Sequence, residues 1–397
     1  MTDIQAFPMP RTCPLNPPEQ LGRLRAEQPI TRVRLWDGTT PWLVTRYDDV
    51  RAVLADPRFS ADPTRPGYPA RSPAGKRRTG GVSFLQMDDP EHARYRRMLI
   101  GEFTMRRMER LRPLVVETID GLLSAMAAGP RPVDLVEAFA LPAPSMVICR
   151  LLGVPYADHA FFQQHSRTML DTRADPDDAA GARRALARYL HELVVAKQAD
   201  PSDDLIGRLI EHHGRTGELT TRQMVAMAIL LLVAGHETTA NMIALGTLTL
   251  LQHPEQARRL RDGEPAYVRG TVEELLRLLT ITHTGRRRTA VEDVDLRGTV
   301  IRAGEGVIAA ADAANRDPEV FADPDCLSPE RPANHHVAFG FGVHQCLGQQ
   351  LARLELQVAY PALLRRFPRM KLATDIAQLR FRDEMPVYGV DTLPITW

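Results

Sequence analysis

Residues 339–348 carry the sequence FGFGVHQCLG, in which two glycines precede a cysteine and an apolar helical pattern follows it. Gly340 and Gly342 let the backbone bend tightly and approach a bound group closely. A helix is predicted to start at Cys346, where free amides and the positive end of the helix dipole favour the thiolate form of the side chain. Hydrogen bonds from those amides would also tune a metal bound to the sulfur. The stretch therefore predicts a metal-binding thiolate.

Two other roles of Cys346 fit part of this pattern. It could be a buried, unreactive cysteine, which is common for this residue type. It could also bind zinc together with His335, His336 and His344. Neither role accounts for the two glycines, and the spacing lacks the paired ligands of structural zinc sites.

Length and composition favour one soluble domain. The chain has 397 residues, of which 44% are apolar, and no linker, low-complexity tract or repeat divides it. We therefore predict a single domain over residues 1–397. A net charge of +1 gives no field that favours nucleic acid or an anionic membrane. Four widely spaced cysteines and a start without a signal or membrane-anchor pattern predict a cytoplasmic protein, which we expect to be a monomer.

Helical patterns dominate the chain, and strand patterns are short. A hairpin around an Asp-Gly turn is expected near residue 38, and further short strands follow the helices. We predict a mainly α fold with small β-sheets. The expected β-rich lobe comprises about 30–60, 286–310 and 370–397, and the helical lobe comprises the remainder.

The longest helical pattern covers 220–252 and is almost entirely apolar. Its central stretch, 224–251, contains only two ionisable residues, His236 and Glu237. A membrane span is the alternative, but a charge at the middle of a span costs about 2.5–3.5 kcal/mol. The pattern therefore predicts a buried central helix of a soluble protein.

The stretch at 339–348 resembles the haem-binding loop of the cytochrome P-450 superfamily at Phe339, Gly342, Cys346 and Gly348. Further segments agree with that family in order and separation, from residue 31 to the end of the chain, and the pattern is most similar to soluble bacterial, actinomycete-type members. The resemblance implies a triangular prism around a buried haem b (iron protoporphyrin IX). It also implies that Cys346 is the axial ligand of the haem iron.

Residues 234–239 resemble the oxygen-activation segment of the same family. The resemblance implies that Ala234 and Gly235 leave room for dioxygen, that Thr238 holds it through a hydrogen bond, and that Glu237 supplies protons. The alternative is a polar patch that satisfies its own hydrogen bonds inside a buried helix. For His236 we expect a structural, hydrogen-bonded role.

Several other positions match residues that surround the haem in this family. Four match the positions that bind the haem propionates, although each could also be a surface charge, and Arg286 and Arg287 are adjacent candidates for the role of Arg288. The expected propionate ligands are His92, Arg96, Arg288 and His344. The remaining expected haem contacts are Phe339, Gly340, Gly348 and Ala234.

Glu274 and Arg277 are three residues apart on a predicted helix, so they share a face. The spacing alone is a weak signal. The pair resembles the Glu-x-x-Arg pair of the family, which implies a buried charge network with Arg331 behind the haem loop. This role is structural rather than chemical.

The resemblance implies a monooxygenase that inserts one atom of dioxygen into a C–H or C=C bond of a hydrophobic small molecule. We expect a secondary metabolite such as a polyketide, macrolide or terpenoid, with a broadly specific xenobiotic-oxidising enzyme as the alternative. The expected pocket is mostly apolar with a few hydroxyl groups. Its predicted lining is Val82, Phe84, Leu230, Val233, Ile281, Thr282 and Thr284, with the tip at 385–387.

The electrons must come from another protein. The chain has no dinucleotide fingerprint, no flavin module and no cysteine set for an iron–sulfur cluster. NAD(P)H is therefore used only indirectly, through a ferredoxin and its reductase, with docking expected at Arg94, Arg97 and Arg353. A haem-thiolate protein that is not a monooxygenase remains a rival, but the pair Glu237 and Thr238 argues against it.

Overall fold

The computed structural model describes residues 4–76, 83–332 and 335–397, and most of them lie in helices. The helices are α1 (Glu19–Glu27), α2 (Tyr47–Ala55), α3 (Pro73–Lys76), α4 (Glu91–Ile100), α5 (Met105–Ala128), α6 (Pro142–Leu152), α7 (His159–Leu170), α8 (Pro176–Ala199), α9 (Leu205–Leu209), α10 (Thr221–Gln252), α11 (Pro254–Asp262), α12 (Pro265–Leu279), α13 (Ala311–Ala314) and α14 (Gln349–Arg366).

The strands are short. They are β1 (Ile30–Arg32), β2 (Trp42–Val44), β3 (Phe59–Ser60), β4 (Val133–Asp134), β5 (Arg286–Ala290), β6 (Val294–Leu296), β7 (Thr299–Ile301), β8 (Gly306–Ala309), β9 (Lys371–Leu372) and β10 (Pro394–Thr396). A mainly helical architecture with small sheets was predicted, and the prediction is confirmed.

Residues of the chain group into two compact units. Unit 1 comprises Met1–Arg94, Glu273–Cys346 and Pro386–Tyr388, and unit 2 comprises the rest. Two helices, α4 and α12, contribute residues to both units.

The main sheet of unit 1 has five strands in the order β1-β2-β8-β5-β3. Strand β2 pairs with β8 in parallel, whereas β5 pairs with β8 antiparallel and sets Arg288 opposite Val307. Every residue of β8 is buried, as expected of a strand in the middle of a sheet. Apolar side chains from β2, α2 and β8, among them Val44, Val50 and Val307, form one core cluster of this unit.

The long helix α10 is the centre of unit 2. Its N-terminus carries a capping box, in which the Thr220 hydroxyl accepts from the Gln223 amide and the Gln223 side chain accepts from the Thr220 amide. Of the helices within the described residues, α10 is the one that is long and apolar enough to cross a membrane, but 72% of its most apolar window is buried inside the protein. Helices α6, α8 and α14 pack against it. It is therefore the buried central helix that its sequence predicts.

Two glycines of α10 allow close packing of its neighbours. A Cβ atom at Gly246 would lie 2.0 Å from the hydroxyl oxygen of Tyr360 on α14. A Cβ atom at Gly235 would lie 2.7 Å from Cγ1 of Ile148 on α6. Larger residues at either position would displace a neighbouring helix.

The C-terminal strands differ from the predicted lobe. The prediction grouped 370–397 with the strands near 30–60 and 286–310. In the structure, β9 and β10 instead form a three-stranded sheet with β4, in the order β4-β10-β9, and this sheet lies in unit 2. The partner strand comes from a two-residue segment, Val133–Asp134, whose length gives no usable strand pattern.

Candidate active site

Cys346 closes a tight loop of unit 1. Its amide donates to the carbonyl of Phe339 at 2.8 Å, and the Gly340 amide donates to the carbonyl of Val337. Gly340 and Gly342 have φ angles of 78° and 71°, in the left-handed region that favours glycine. The loop conformation therefore requires both glycines of the quoted stretch.

The predicted helix after the cysteine starts later than expected. The prediction began the helix at Cys346, but α14 begins at Gln349 and its N-cap residue is Gly348. The first bond of the helix runs from the Ala352 amide to the carbonyl of Gly348. Leu347 and Gly348 form a turn, so the cysteine precedes the helix by three residues and its side chain is half-buried.

Three consecutive arginines of β5 point to alternate faces of the sheet. Neighbouring residues of a strand face opposite sides, so Arg286 and Arg288 share one face and Arg287 occupies the other. The Arg287 guanidinium donates to the carbonyls of Pro69 at 2.7 Å and Ala70 at 3.1 Å. The Arg287 guanidinium is therefore hydrogen-bonded to backbone carbonyls. Arg286 and Arg288 remain the candidates for binding an anionic group of a cofactor.

Arg286 lies against the cysteine loop. Its guanidinium donates to the carbonyl of Ala338 at 2.9 Å and to the hydroxyl oxygen of Thr282 at 3.3 Å. Burial lowers the pKa of Arg286 to about 10, and the negative charge of Cys346 partly opposes this effect. Arg286 is therefore a partly exposed cation within electrostatic reach of the Cys346 sulfur.

Two histidine rings lie together beside this loop. His92, in the first turn of α4, is buried and places Nδ1 3.1 Å from Oδ1 of Asp89. Its ring centroid lies 4.1 Å from that of His344. Arg96 follows His92 by one helical turn and is partly buried. Both histidines come from widely separated parts of the sequence and meet in unit 1.

Glu274, Arg277 and Arg331 form one buried network. Arg277 donates to Glu274 through two nitrogens at 2.7 and 2.8 Å, and Arg331 donates to the same carboxylate at 3.1 Å. Arg277 also donates to the carbonyls of Asn315 and Pro324. The guanidinium of Arg277 is fully buried, and all of these contacts lie in unit 1.

One stripe of α10 is accessible although the rest of the helix is buried. Leu230 and Thr238 are partly exposed, and Ala234 between them is exposed. These residues are spaced by four, so they lie on one face of the helix. The Thr238 hydroxyl donates to the carbonyl of Ala234 at 2.8 Å, which leaves its oxygen able to accept a hydrogen bond. Gly235 does not leave open space on this face, because the Ile148 side chain packs where a side chain at position 235 would lie.

Glu237 is buried among cationic side chains of unit 2. Its Oε1 lies 3.4 Å from Nε2 of His236, and its Oε2 lies 3.7 Å from Nη1 of Arg382. Burial alone raises the pKa of the Glu237 carboxyl, but the neighbouring His236 and the charges of Arg382 and Arg167 hold it below its ordinary value. The carboxyl is therefore ionised at neutral pH. His236 also bonds through Nδ1 to the carbonyl of Leu232.

The predicted substrate-lining residues fall into separate groups. Val82 lies outside the described residues. In unit 1, Phe84, Ile281 and Thr284 are buried and Thr282 is partly exposed. In unit 2, Leu230 is partly exposed and Val233 is buried beside it on α10.

A cavity of about 290 Å³ opens in unit 2, and its lining is charged rather than apolar. It contains one residue of the predicted tip, Met385. Apart from Phe381, its other lining residues are arginines and acids, namely Arg167, Asp171, Arg173, Arg380, Arg382, Asp383, Glu384 and Asp391. The cavity therefore reaches Arg382, the partner of Glu237.

Sequence reasoning missed three residues near these sites. Arg382 contacts Glu237, and Arg71 contacts Thr284, from segments far away in the chain. Glu355 on α14 is fully buried, and its side chain hydrogen-bonds to Thr239. Nothing local in the sequence identifies Arg71 or Arg382, since their partners depend on long-range packing. The apolar pattern of α14 did place Glu355 in a helix with a buried face.

The sequence profile of the cytochrome P450 family matches residues 23–263 and 264–378. The chain belongs to the cytochrome P450 family. It is 52% identical over 97% of its length to cytochrome P450-SU2 of Streptomyces griseolus, of which it covers 94%. It is 49% identical over 99% of its length to pentalenic acid synthase of Streptomyces avermitilis, of which it covers 97%.

Solved P450 structures share its fold. The mycinamicin VIII C21 methyl hydroxylase of Micromonospora griseorubida, solved with mycinamicin VIII bound, matches with a TM-score of 0.95 at 43% identity and covers 99% of this chain and 100% of its own. The predicted family, fold and class of enzyme are therefore confirmed. The protein is a P450 monooxygenase, and its family uses a haem-thiolate cofactor and dioxygen.

Proposed function

We propose that this P450 hydroxylates or epoxidises a hydrophobic secondary metabolite, such as a polyketide, macrolide or terpenoid, and that the Cys346 sulfur would hold the iron of haem b. The observation that carries the proposal is the cysteine loop. Its two left-handed glycines present a half-buried sulfur, and a partly exposed cation, Arg286, lies within electrostatic reach of it. A loop of this kind suits an anionic sulfur ligand.

The residues around the loop fit a haem. Arg286 and Arg288 share a face of β5, and neither forms an ion pair with a carboxylate anywhere in the described parts of the chain. Arg288 is buried, and a buried cation needs a counter-charge, which a propionate of a haem would provide. The residues proposed to hold the propionates are His92, Arg96, Arg288 and His344. Those proposed to line the rest of the haem are Phe339, Gly340, Gly348 and Ala234.

When bound, haem supplies the iron at which dioxygen is activated, so that one oxygen atom enters a C–H or C=C bond of the substrate and the other leaves as water. The chain contributes binding, orientation and protons. The residue proposed to make the critical hydrogen bond is Thr238, on the accessible stripe of α10. Its hydroxyl donates to the Ala234 carbonyl, and its oxygen keeps lone pairs that can accept a hydrogen bond from a second partner.

Glu237 is the proposed source of protons. Its carboxyl is ionised at neutral pH, so it can accept a proton from solvent and pass it on. The charged cavity supports a route from solvent, because Arg382 lines that cavity and also contacts Glu237. His236 lies near the other carboxylate oxygen, with Nε2 3.4 Å from Oε1.

The substrate class is supported by the stripe and by relatives. Leu230, Val233 and Ala234 give α10 an apolar surface beside Thr238. Relatives named for mycinamicin VIII and pentalenic acid act on molecules of this kind. We also propose that electrons arrive from NAD(P)H through a ferredoxin reductase and a ferredoxin, and that the enzyme works as a cytoplasmic monomer.

The optical spectrum of the purified, dithionite-reduced protein under carbon monoxide tests the proposed ligand. A thiolate opposite carbon monoxide gives a Soret band near about 450 nm, and we expect this band. Cys346→Ser is expected to lose it, whereas the control Cys13→Ser, at an exposed cysteine, should keep it. A colourless protein, or a band about 30 nm lower in gently handled wild type, contradicts the assignment of Cys346.

A further inference from the structure

Four arginines of unit 1 lie close enough to repel one another. Arg71 and Arg288 both lower the pKa of Arg286, and Arg71 also lowers that of Arg287. No carboxylate forms an ion pair with any of the four within the described residues, although Asp88 and Asp37 act on Arg288 and Arg287 at longer range. Clustered cations of which two, Arg287 and Arg288, are buried are costly without a counter-charge.

Only some of these four guanidinium groups have partners that offset their charge. The carbonyls of Pro69 and Ala70 accept hydrogen bonds from the Arg287 guanidinium. In the proposed haem site, the propionates bind Arg288, His92 and His344 and compensate the charge of Arg288. This leaves Arg71, and part of the charge of Arg286, without a compensating anion.

These two arginines contact a pair of threonines on one short segment. Arg71 donates through Nε to the hydroxyl oxygen of Thr284 at 3.2 Å and through Nη2 to the carbonyl of Gly285 at 3.0 Å. Arg286 donates to the hydroxyl oxygen of Thr282 at 3.3 Å. Each threonine oxygen accepts a hydrogen bond from an arginine, so each hydroxyl hydrogen can be donated to a ligand.

The arginines are accessible, whereas most of the segment is buried and part of it is apolar. Arg71 is exposed, Arg286 and Thr282 are partly exposed, and Thr284 is buried. Ile281, at the start of the segment, is buried beside them and is one of the predicted substrate contacts. Two guanidinium groups and two hydroxyls next to an apolar side chain form a surface for an anionic group on an otherwise apolar molecule.

We propose that the substrate of this P450 carries a carboxylate, which binds to Arg71 and Arg286 with Thr282 and Thr284 as further donors. The proposal rests on the proposed function, because it assumes that 281–284 line the substrate pocket. It narrows the substrate class from hydrophobic metabolites to amphiphilic acids.

Matched pairs of ligands test the proposal. Dodecanoic acid and methyl dodecanoate, and hexadecanoic acid and its methyl ester, differ only in the charged group. Their dissociation constants are measured from the shift of the haem absorption band near neutral pH. We expect each acid to bind wild type at least about tenfold tighter than its ester, the effect of one charge-assisted hydrogen bond.

Variants separate the ligand role from a structural one. Arg71→Gln should lower acid affinity about tenfold and leave ester affinity unchanged, and Arg71→Lys should keep most of the preference. Arg286→Gln should act in the same direction, but Arg71 is the decisive position because it lies away from the cysteine loop. The control is Arg258→Gln, an exposed arginine on α11.

Equal affinity for acid and ester in wild type, including no binding of either, contradicts the proposal. So does an Arg71→Gln variant that weakens acid and ester alike. Failure of the proposed function gives a different result, since it would remove the band near about 450 nm. In that case calorimetry measures the same acid-over-ester preference without the haem signal.

Discussion

Arg382 Nη1 lies 3.7 Å from Oε2 of Glu237, so a residue near the C-terminus contacts the middle of the longest helix. The same guanidinium donates to Asp391 at 3.0 Å and to Asn241 at 3.4 Å. It is largely buried, at 8% side-chain exposure. Arg382 therefore connects the ionised carboxyl to the wall of the charged cavity.

Replacing Arg382 with a neutral residue is expected to shift the acidic limb of the pH profile of kcat/KM. Burial raises the pKa of Glu237 and nearby cations lower it, so Arg382→Gln shifts that pKa upward. If the ionised carboxyl is required, kcat/KM falls as pH drops through the Glu237 pKa, and the variant loses activity at a higher pH than wild type. Arg382→Lys should restore the wild-type limb. An unchanged acidic limb in Arg382→Gln would show that Glu237 does not control the rate.

Loss of the Thr238 hydroxyl is expected to uncouple electron use from product formation. Thr238→Ala removes the group proposed to bind through its oxygen, and most NAD(P)H should then yield peroxide instead of product. Thr238→Ser retains a hydroxyl and should retain most of the coupling. The measurement is product and peroxide formed per NAD(P)H. An unchanged product yield in Thr238→Ala would remove Thr238 from the proposed mechanism.

The Glu274 network is expected to dominate local stability. Glu274 accepts hydrogen bonds from Arg277, Arg331 and the Ser328 amide, and Arg277 is fully buried. Glu274→Gln would leave a buried guanidinium without its counter-charge, at a cost of about 3–5 kcal/mol in unfolding free energy. Denaturant titration measures this cost.

A neighbouring residue provides the comparison for this variant. Glu273 pairs with His336 and is 23% exposed, so Glu273→Gln should cost no more than about 1 kcal/mol. Equal effects of the two substitutions would contradict a special role for the Glu274 network.

Glu355 is expected to make stability fall as pH rises. Burial raises the pKa of Glu355 to about 8, a shift that the hydrogen bond from Thr239 only partly opposes. Between its ordinary pKa and about 8, the folded state binds more protons than the unfolded state, so unfolding free energy decreases with increasing pH.

Glu355→Gln removes this dependence because the amide mimics the protonated acid. Relative to wild type, the variant should gain about 3 kcal/mol of unfolding free energy between about pH 5.5 and pH 8. The control Glu117→Gln, at an exposed position on α5, should show no such change. Parallel stability curves for wild type and Glu355→Gln would mean that the carboxyl reaches solvent.

Local patterns in the sequence were enough to predict the main features of the fold. The apolar run of α10 depends on neighbours in the chain, and the structure has the buried helix that this run predicts. The glycines before Cys346 are similarly local, since their left-handed backbone is a property of the residue type.

Features that depend on long-range packing were not predictable. Helix α14 starts at Gln349 because Gly348 has a non-helical backbone, which no apolar pattern reveals. Strand β10 pairs with Val133–Asp134, more than 250 residues earlier, and two residues carry too little periodicity to predict a strand. Glu237 and Thr284 likewise contact arginines, Arg382 and Arg71, that are far away in the sequence.

The contact between Gly235 and Ile148 limits how this enzyme can be re-engineered. A methyl group at position 235 has no room, since it would lie 2.7 Å from the Ile148 side chain. Leu230 instead lies on the accessible stripe of the same helix. Mutant libraries aimed at new substrates should therefore diversify Leu230 and keep Gly235 fixed.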